Sequence, residues 1–362
     1  MNRWLGTPLR APGILPDIGR IAPASAFSPA KSRRASYFSR MTKLLRFLVL
    51  FVLVVAGAAV GFGAWRNPER ATLDATARSA APGKFVASAQ GMTHYEIAGP
   101  DTGRVVVLVH GFSVPSYIWD STFTALGAAG YRVVRYDVFG RGWSDRPDGA
   151  YDGPMFDLQL DALLDSLHIT QPIDLMGLSF GGYITAHYVA GHAKRIRSWT
   201  LVDPATKERA MPAFLGWPVV GPWIWQTTQV PGMADGQASD FLHPEHFPTW
   251  ADQYRVQMRY KGFGRALLRS AFTMSRTNFD SLYAAAGRTG VPTLLVWGKQ
   301  DQTVPITLSD VERRNIPQVE FFPVDSSGHL PHMEQTTLVN AKLLSFLAAH
   351  SSVSPIAPST VP

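Results

Sequence analysis

Ser179 stands in Gly177-Leu178-Ser179-Phe180-Gly181, with one more glycine at 182. The apolar run before it, Pro172–Met176, reads as a strand, and Phe180 to Ala190 reads as a helix. A serine on so tight a strand-to-helix turn is held in a strained conformation that projects its hydroxyl. A Cβ at either flanking glycine would collide there. The start of the following helix also favours negative charge developing beside it. A serine hydroxyl alone is a weak nucleophile at neutral pH, so a base and an orienting acid are required. His329, in DSSGHLPHMEQ, and Asp301, in VWGKQDQTVP, each follow a buried apolar run. His329 would take the Ser179 proton and return it to a leaving group, while Asp301 would fix the imidazole tautomer. The order Ser, Asp, His fits loops after successive strands on one edge of a sheet.

An oxyanion forming at such a serine needs two backbone N–H donors aimed at one point. Phe180, directly after the serine, supplies one. Phe112, in His110-Gly111-Phe112 at the end of the run RVVVLV, supplies the other. His110 reads as a structural histidine of that turn. Each role has rivals. His332 lies three residues past His329, but a histidine directly after glycine in a strand-to-helix loop is the better base. Asp203, after the run ending LVD, and Asp325 compete with Asp301, and both read as structural.

The elements that must carry these residues follow one another regularly. KFVASAQGMTHYEIAG alternates about Gln90-Gly91 and predicts a β-hairpin. Runs at 104–109, 131–136, 172–176, 196–202, 292–297 and 319–324 read as strands. Segments near 119–129, 157–167, 180–190, 307–314 and 336–349 read as helices. Strand and helix in alternation imply a mostly parallel sheet covered on both faces. The alternation stops between 204 and 290, a block with Trp217, Trp223, Trp225 and Trp250, which reads as a helical cap inserted between two late strands.

The net charge of +7 is not spread over this domain. Residues 1–46 hold nine Lys/Arg against Asp17 alone, which leaves 25 basic and 26 acidic residues for the rest. A nucleic-acid groove would need that charge on the folded part, so no nucleic-acid partner is expected. The basic stretch instead precedes Phe47–Trp65, nineteen residues without a charge, long enough to cross a bilayer. The expected organisation is a disordered basic N-terminus (1–43), a transmembrane signal anchor (44–65), a linker (66–83), a domain at 84–350 with its cap at 204–290, and a disordered tail (351–362). Basic residues before the run place the N-terminus in the cytoplasm and the domain on the extracytoplasmic side. Secretion after cleavage near Ala56-Gly57-Ala58 is the alternative. The first forty residues also admit an organellar transit peptide or a true start at Met41. The chain has no cysteine, which removes disulfides and thiolate chemistry.

HGF, YDVFGRGWSDRP (136–147), GLSFGG, VDPA, VWGKQDQTVP and GHLPHMEQ resemble, in order and spacing, the α/β-hydrolase superfamily in its capped form. The resemblance covers about residues 84–350. It implies the α/β-hydrolase fold and a Ser-Asp-His catalytic triad, and leaves the substrate open among esterases, monoacylglycerol lipases, C–C bond hydrolases, perhydrolases and amidases. Serine at 179 argues against the branches that use a carboxylate nucleophile. Arg141 and Asp145, in GRGWSD, match a loop that supports the fold. An aromatic cap suggests an apolar pocket, although most of its rings can serve the cap's own core. Arg255, Arg259 and Arg265 are candidates for a substrate carboxylate. The first expectation is a membrane-anchored serine esterase or lipase acting on small hydrophobic esters through an acyl-enzyme, with no metal or organic cofactor. The alternatives are a C–C bond or amide hydrolase with the same triad, and a catalytically silent binding member. Oligomeric state is left open.

Overall fold

The computed structural model describes residues 30–207 and 210–351. The first 29 residues and the tail from 352, both expected to be irregular, lie outside this range. The chain divides at Val60 into two units. Most of the first is one helix, Ala30–Arg66, whose residues Tyr37–Arg66 are long and apolar enough to cross a membrane. Its Leu, Val and Phe side chains are exposed all round. The helix begins well before residue 44, correcting the expectation of disorder at 30–43. AKSRRASYFSRMTK contains neither proline nor glycine, and a nucleated helix extends through such residues at little cost.

The second unit is built on an eight-stranded sheet in the order β1-β2-β4-β3-β5-β6-β7-β8. β1 (Lys84–Ser88) and β2 (Gly91–Ala98) form the expected hairpin, and β2 pairs antiparallel with β4 (Arg132–Tyr136). The other strands are parallel: β3 (Val105–Val109), β5 (Ile173–Leu178), β6 (Ile196–Val202), β7 (Thr293–Gly298) and β8 (Val319–Val324). β3 shows why the sequence folds this way. All five of its residues are buried, with Val105, Val107 and Val109 facing one core and Val106 and Leu108 the other. A strand sandwiched between helices must be apolar on both faces, so it reads as an unbroken run. On one face lie the helices Gly153–Ser166, Phe180–His192 and Phe279–Gly287; on the other lie Asp120–Ala128 and Thr336–Ala349.

From β3 the chain crosses to β4 on one side and later to β5 on the other. The strand order therefore reverses at β3, and the carboxyl ends of β3 and β5 flank a crevice of the kind where ligands bind in open parallel sheets. His110-Gly111-Phe112 and Ser179 lie at those two ends. The block between β6 and β7 is helical, with Trp250–Met258 and Phe263–Arg276 its longest pieces before Phe279–Gly287. The last of these packs with Tyr183 and Trp199 in the main core. Gln257 ties the block to the sheet loops by donating to Ser113 O (2.8 Å) and accepting from Gly142 N (2.8 Å). Trp225 and Trp250 are buried within the block, whereas Trp217 is 58% exposed.

Residues 66–83 look like a polar linker in sequence, and the structure corrects this. Glu69 accepts from the backbone N–H groups of Gly262 (2.6 Å) and Gly264 (2.7 Å) and from Gln226 Nε2 (3.0 Å). Ala71 lies opposite Tyr260 in a parallel bridge, its N donating to Arg259 O (2.9 Å) and its O accepting from Lys261 N (2.9 Å). Composition does not reveal such pairing, because the partners lie nearly two hundred residues away.

Candidate active site

Ser179 occupies the turn between β5 and the helix Phe180–His192 with φ 52° and ψ −116°. Positive φ in a residue with a side chain costs on the order of 1–3 kcal/mol, and three backbone hydrogen bonds hold it. Ser179 N donates to Val202 O (2.9 Å), and Ser179 O accepts from Gly182 N (2.8 Å) and Ala205 N (2.9 Å). The flanking glycines are required by contact: a Cβ on Gly177 would lie 2.4 Å from Gly181 O, and one on Gly181 would lie 2.4 Å from Val109 O. The His110-Gly111-Phe112 turn runs against the serine, since a Cβ on Gly111 would lie 3.3 Å from Ser179 Cβ.

The structure brings Asp301 and His329 together. His329 Nδ1 is 2.7 Å from Asp301 Oδ2, and both residues are buried. Asp301 Oδ1 accepts from Thr303 N (2.8 Å) and Val304 N (2.9 Å), so the carboxylate is fixed from both oxygens. Burial alone would depress the His329 pKa. The Asp301 charge and hydrogen bond, with a contribution from Asp240, outweigh it and raise the value above 6.5. Ser179 Oγ and His329 Nε2 make no hydrogen bond among the described residues. Such contacts are commonly loose before substrate arrives and tighten in the reacting complex.

A base must be neutral to accept a proton. Activity on a small ester is therefore expected to rise with pH through a transition above 6.5, as a pH–rate profile of kcat/KM would show. A transition below 6.5 would mean that Asp301 does not support the imidazolium. The stability effect has the opposite sense. The raised value adds stability that is full below 6.5 and is lost as pH rises through the folded value.

Phe112 and Phe180 carry the two expected oxyanion donors. Neither backbone N–H donates to a protein group among the described residues, and Phe180 opens a helix, where such N–H groups are orphaned. Their rings meet edge-on at 6.0 Å. Arg141 lies behind them, fully buried, with Nε donating to Phe112 O (2.7 Å), Nη1 to Phe139 O (3.0 Å) and Nη2 to Ser270 Oγ (2.8 Å). Its guanidinium is 5.6 Å and 5.4 Å from the Phe112 and Phe180 ring centroids. Burial lowers its pKa to about 10, so it stays charged at neutral pH. Arg141 thus clamps the Phe112 loop to a cap helix, in keeping with the fold-supporting part expected of GRGWSD.

Asp203 was read as a structural rival to Asp301, and its position is closer to the chemistry than that. It is fully buried at the end of β6, accepts from Gly298 N at Oδ1 (2.9 Å), and leaves Oδ2 without a hydrogen bond. One ionisable atom from each of Asp203, Asp301 and His329 lies within 4.8 Å of the others. That spacing could also ligate a metal ion, but the His329–Asp301 hydrogen bond accounts for it without one. Burial, then the Asp301 charge, pushes the Asp203 carboxyl well above the usual range, which favours its protonated form. Asparagine has the shape and charge of the protonated form that this shift favours, so Asp203→Asn is expected to fold with stability close to the parent. Asp203→Ala should cost about 1–3 kcal/mol by orphaning the Gly298 N–H. Urea unfolding of both variants checks this; a large loss for the asparagine variant would mean an ionised Asp203.

Glu334 is a second residue whose place sequence does not reveal. Its carboxylate accepts from Gly328 N (2.6 Å), Leu242 N (2.7 Å) and His243 N (3.2 Å), fastening the cap segment to the His329 loop. The same segment supplies Asp240 O to His329 N (2.8 Å). The other candidates lie elsewhere. His110 is buried with Nε2 accepting from Val138 N (2.8 Å), and burial lowers its pKa to about 4. His332 Nε2 donates to Ile118 O (3.0 Å). Asp325 pairs with Lys299 at the surface, Arg255 with Asp235 and Asp252, and Arg265 with Asp148; Arg259 is exposed.

A family profile described as alpha/beta hydrolase fold matches residues 104–336. The AB hydrolase superfamily protein YisY of Bacillus subtilis is 24% identical over 67% of this chain and 91% of its own length. Lipase 1 of Psychrobacter immobilis is 26% identical over 66% of this chain and 75% of its own. Among solved structures, a thermophilic esterase from Thermogutta terrifontis superposes with a TM-score of 0.63 at 24% identity, over 75% of this chain and 99% of its own.

Proposed function

This chain belongs to the α/β hydrolase fold family, and we propose that it is a membrane-anchored serine hydrolase of hydrophobic carboxylic esters. The observation that carries the reading is the buried 2.7 Å His329–Asp301 hydrogen bond on the same sheet edge as the strained turn of Ser179. His329 Nε2 takes the Ser179 proton as Oγ attacks the ester carbonyl. The Phe112 and Phe180 N–H groups receive the oxyanion. The imidazolium then protonates the leaving alkoxide oxygen, and the acyl-serine remains. Water, deprotonated by the same imidazole, attacks the acyl-serine and releases the acid.

The substrate class rests on polarity. Arg255 and Arg265 are held in surface ion pairs and Arg259 is exposed, so none of the three is buried at the site to receive a substrate carboxylate, and a neutral ester is favoured. The lipase name of the Psychrobacter relative agrees with this. The apolar helix before the domain supports anchoring, with the domain on the extracytoplasmic side as the basic flank implies. Hydrolysis of a p-nitrophenyl ester series from acetate to palmitate tests the reading. Turnover peaking at medium or long chains is expected. Turnover of none of them would overturn the ester assignment and favour the C–C bond or amide reading.

A further inference from the structure

We propose that the cap face formed by Phe214, Trp217, Val219, Val220 and Trp223 rests in the interfacial layer of the lipid bilayer that the N-terminal helix enters. This rests on the membrane anchoring proposed above and adds where the cap lies. These five side chains are 36–82% exposed, an unusual density of large apolar groups for water-facing surface. Val219 has φ 65°, a conformation β-branched residues avoid, and is the most exposed of the five.

The occupant follows from how the chain leaves the apolar helix. The Phe62 ring is 6.2 Å from that of Trp223, and Gly63 admits the indole so closely that a Cβ would lie 2.7 Å from Trp223 Nε1. Arg66 Nε donates to Thr227 O (3.1 Å), and Asn67 Oδ1 accepts from Gln226 Nε2 (2.7 Å). Glu69 and Ala71 then fasten to residues 259–264, as described above. The residues that end the apolar run are therefore stapled to the segment bearing the patch. If that run crosses a bilayer, residues 214–223 stand at its boundary, where Trp side chains are enriched. A cleft of about 840 Å³ opens beside them, lined by Leu215, Trp217 and Phe272 together with Asp148, Arg269 and Arg276.

The chain has no cysteine, so single labels are clean. The full chain, reconstituted in phosphatidylcholine/phosphatidylglycerol vesicles, is spin-labelled in turn at Trp217→Cys, Val220→Cys, Val52→Cys and Leu338→Cys. Matched far-UV circular dichroism and thermal unfolding verify that each variant folds. The expected result is a several-fold higher ratio of oxygen to nickel-complex accessibility at 217 and 220 than at 338. A lipid-embedded label at 52 with aqueous labels at 217 and 220 would overturn the proposal and leave anchoring intact. Labels at 217 and 220 shielded from both reagents, with dipolar broadening between chains, would put a second copy on this face instead and equally overturn it. An aqueous label at 52 would overturn the anchoring together with the proposal.

Discussion

Ser179→Ala is expected to lower kcat on a p-nitrophenyl ester by about 10⁴–10⁶-fold while the protein remains folded. At the upper end this is about 8 kcal/mol of transition-state stabilisation. Loss on this scale follows because no other group can form the acyl bond. His329 without Ser179 could act only as a base for water, and the donors of Phe112 and Phe180 would still bind an oxyanion. The residual rate therefore measures those donors. Folding should be unaffected, since the turn is held by the Ser179 backbone rather than its hydroxyl. Alanine also keeps the Cβ that the positive φ already accommodates. Stopped assays with matched circular dichroism check both halves, and a loss under tenfold would remove Ser179 from the nucleophile's role.

The second large effect is expected at Asp301. Asp301→Asn should reduce kcat by about 10⁴-fold, because the amide can donate to Nδ1 and hold the imidazole in the wrong tautomer. A pH profile separates this from simple misfolding. With the main raising influence gone, burial dominates, and the acid limb assigned to His329 should move down from its position above 6.5. Asp203 adds a further test. Its carboxyl pKa is raised partly by the Asp301 charge, so neutralising Asp301 lowers it and favours ionisation beside His329. The double variant Asp203→Asn with Asp301→Asn should then be less active than Asp301→Asn alone. Equal activities would mean that Asp203 gives His329 no support.

The sheet was legible because its central strands are buried almost throughout and so read as short, largely apolar runs, β3 most plainly as VVVLV. Gly177 and Gly181 were legible for a different reason: their neighbours leave no room for a Cβ, so the turn chemistry shows in the residue types. Asp301 and His329 could be placed from their positions after successive strands. Asp203 could not, because its proximity to Asp301 comes from β6 lying beside β7, with Val202 opposite Val296. That signal was available only once the strand order was known. Glu334 and Glu69 were missed for a shared reason. Each carboxylate accepts from backbone N–H groups far away in sequence, Leu242 and His243 for Glu334 and Gly262 and Gly264 for Glu69, and neither spacing nor composition reports such partners. The early start of the long helix was missed because a polar, basic stretch without proline is compatible with both helix and coil.

The most direct test of Ser179 as nucleophile is labelling of the full chain with a fluorophosphonate, followed by peptide mapping of the adduct. A single adduct on Ser179, absent from Ser179→Ala and strongly slowed in His329→Ala, is the predicted result. An adduct on another residue, or no adduct from a chain that still turns over esters, would contradict it.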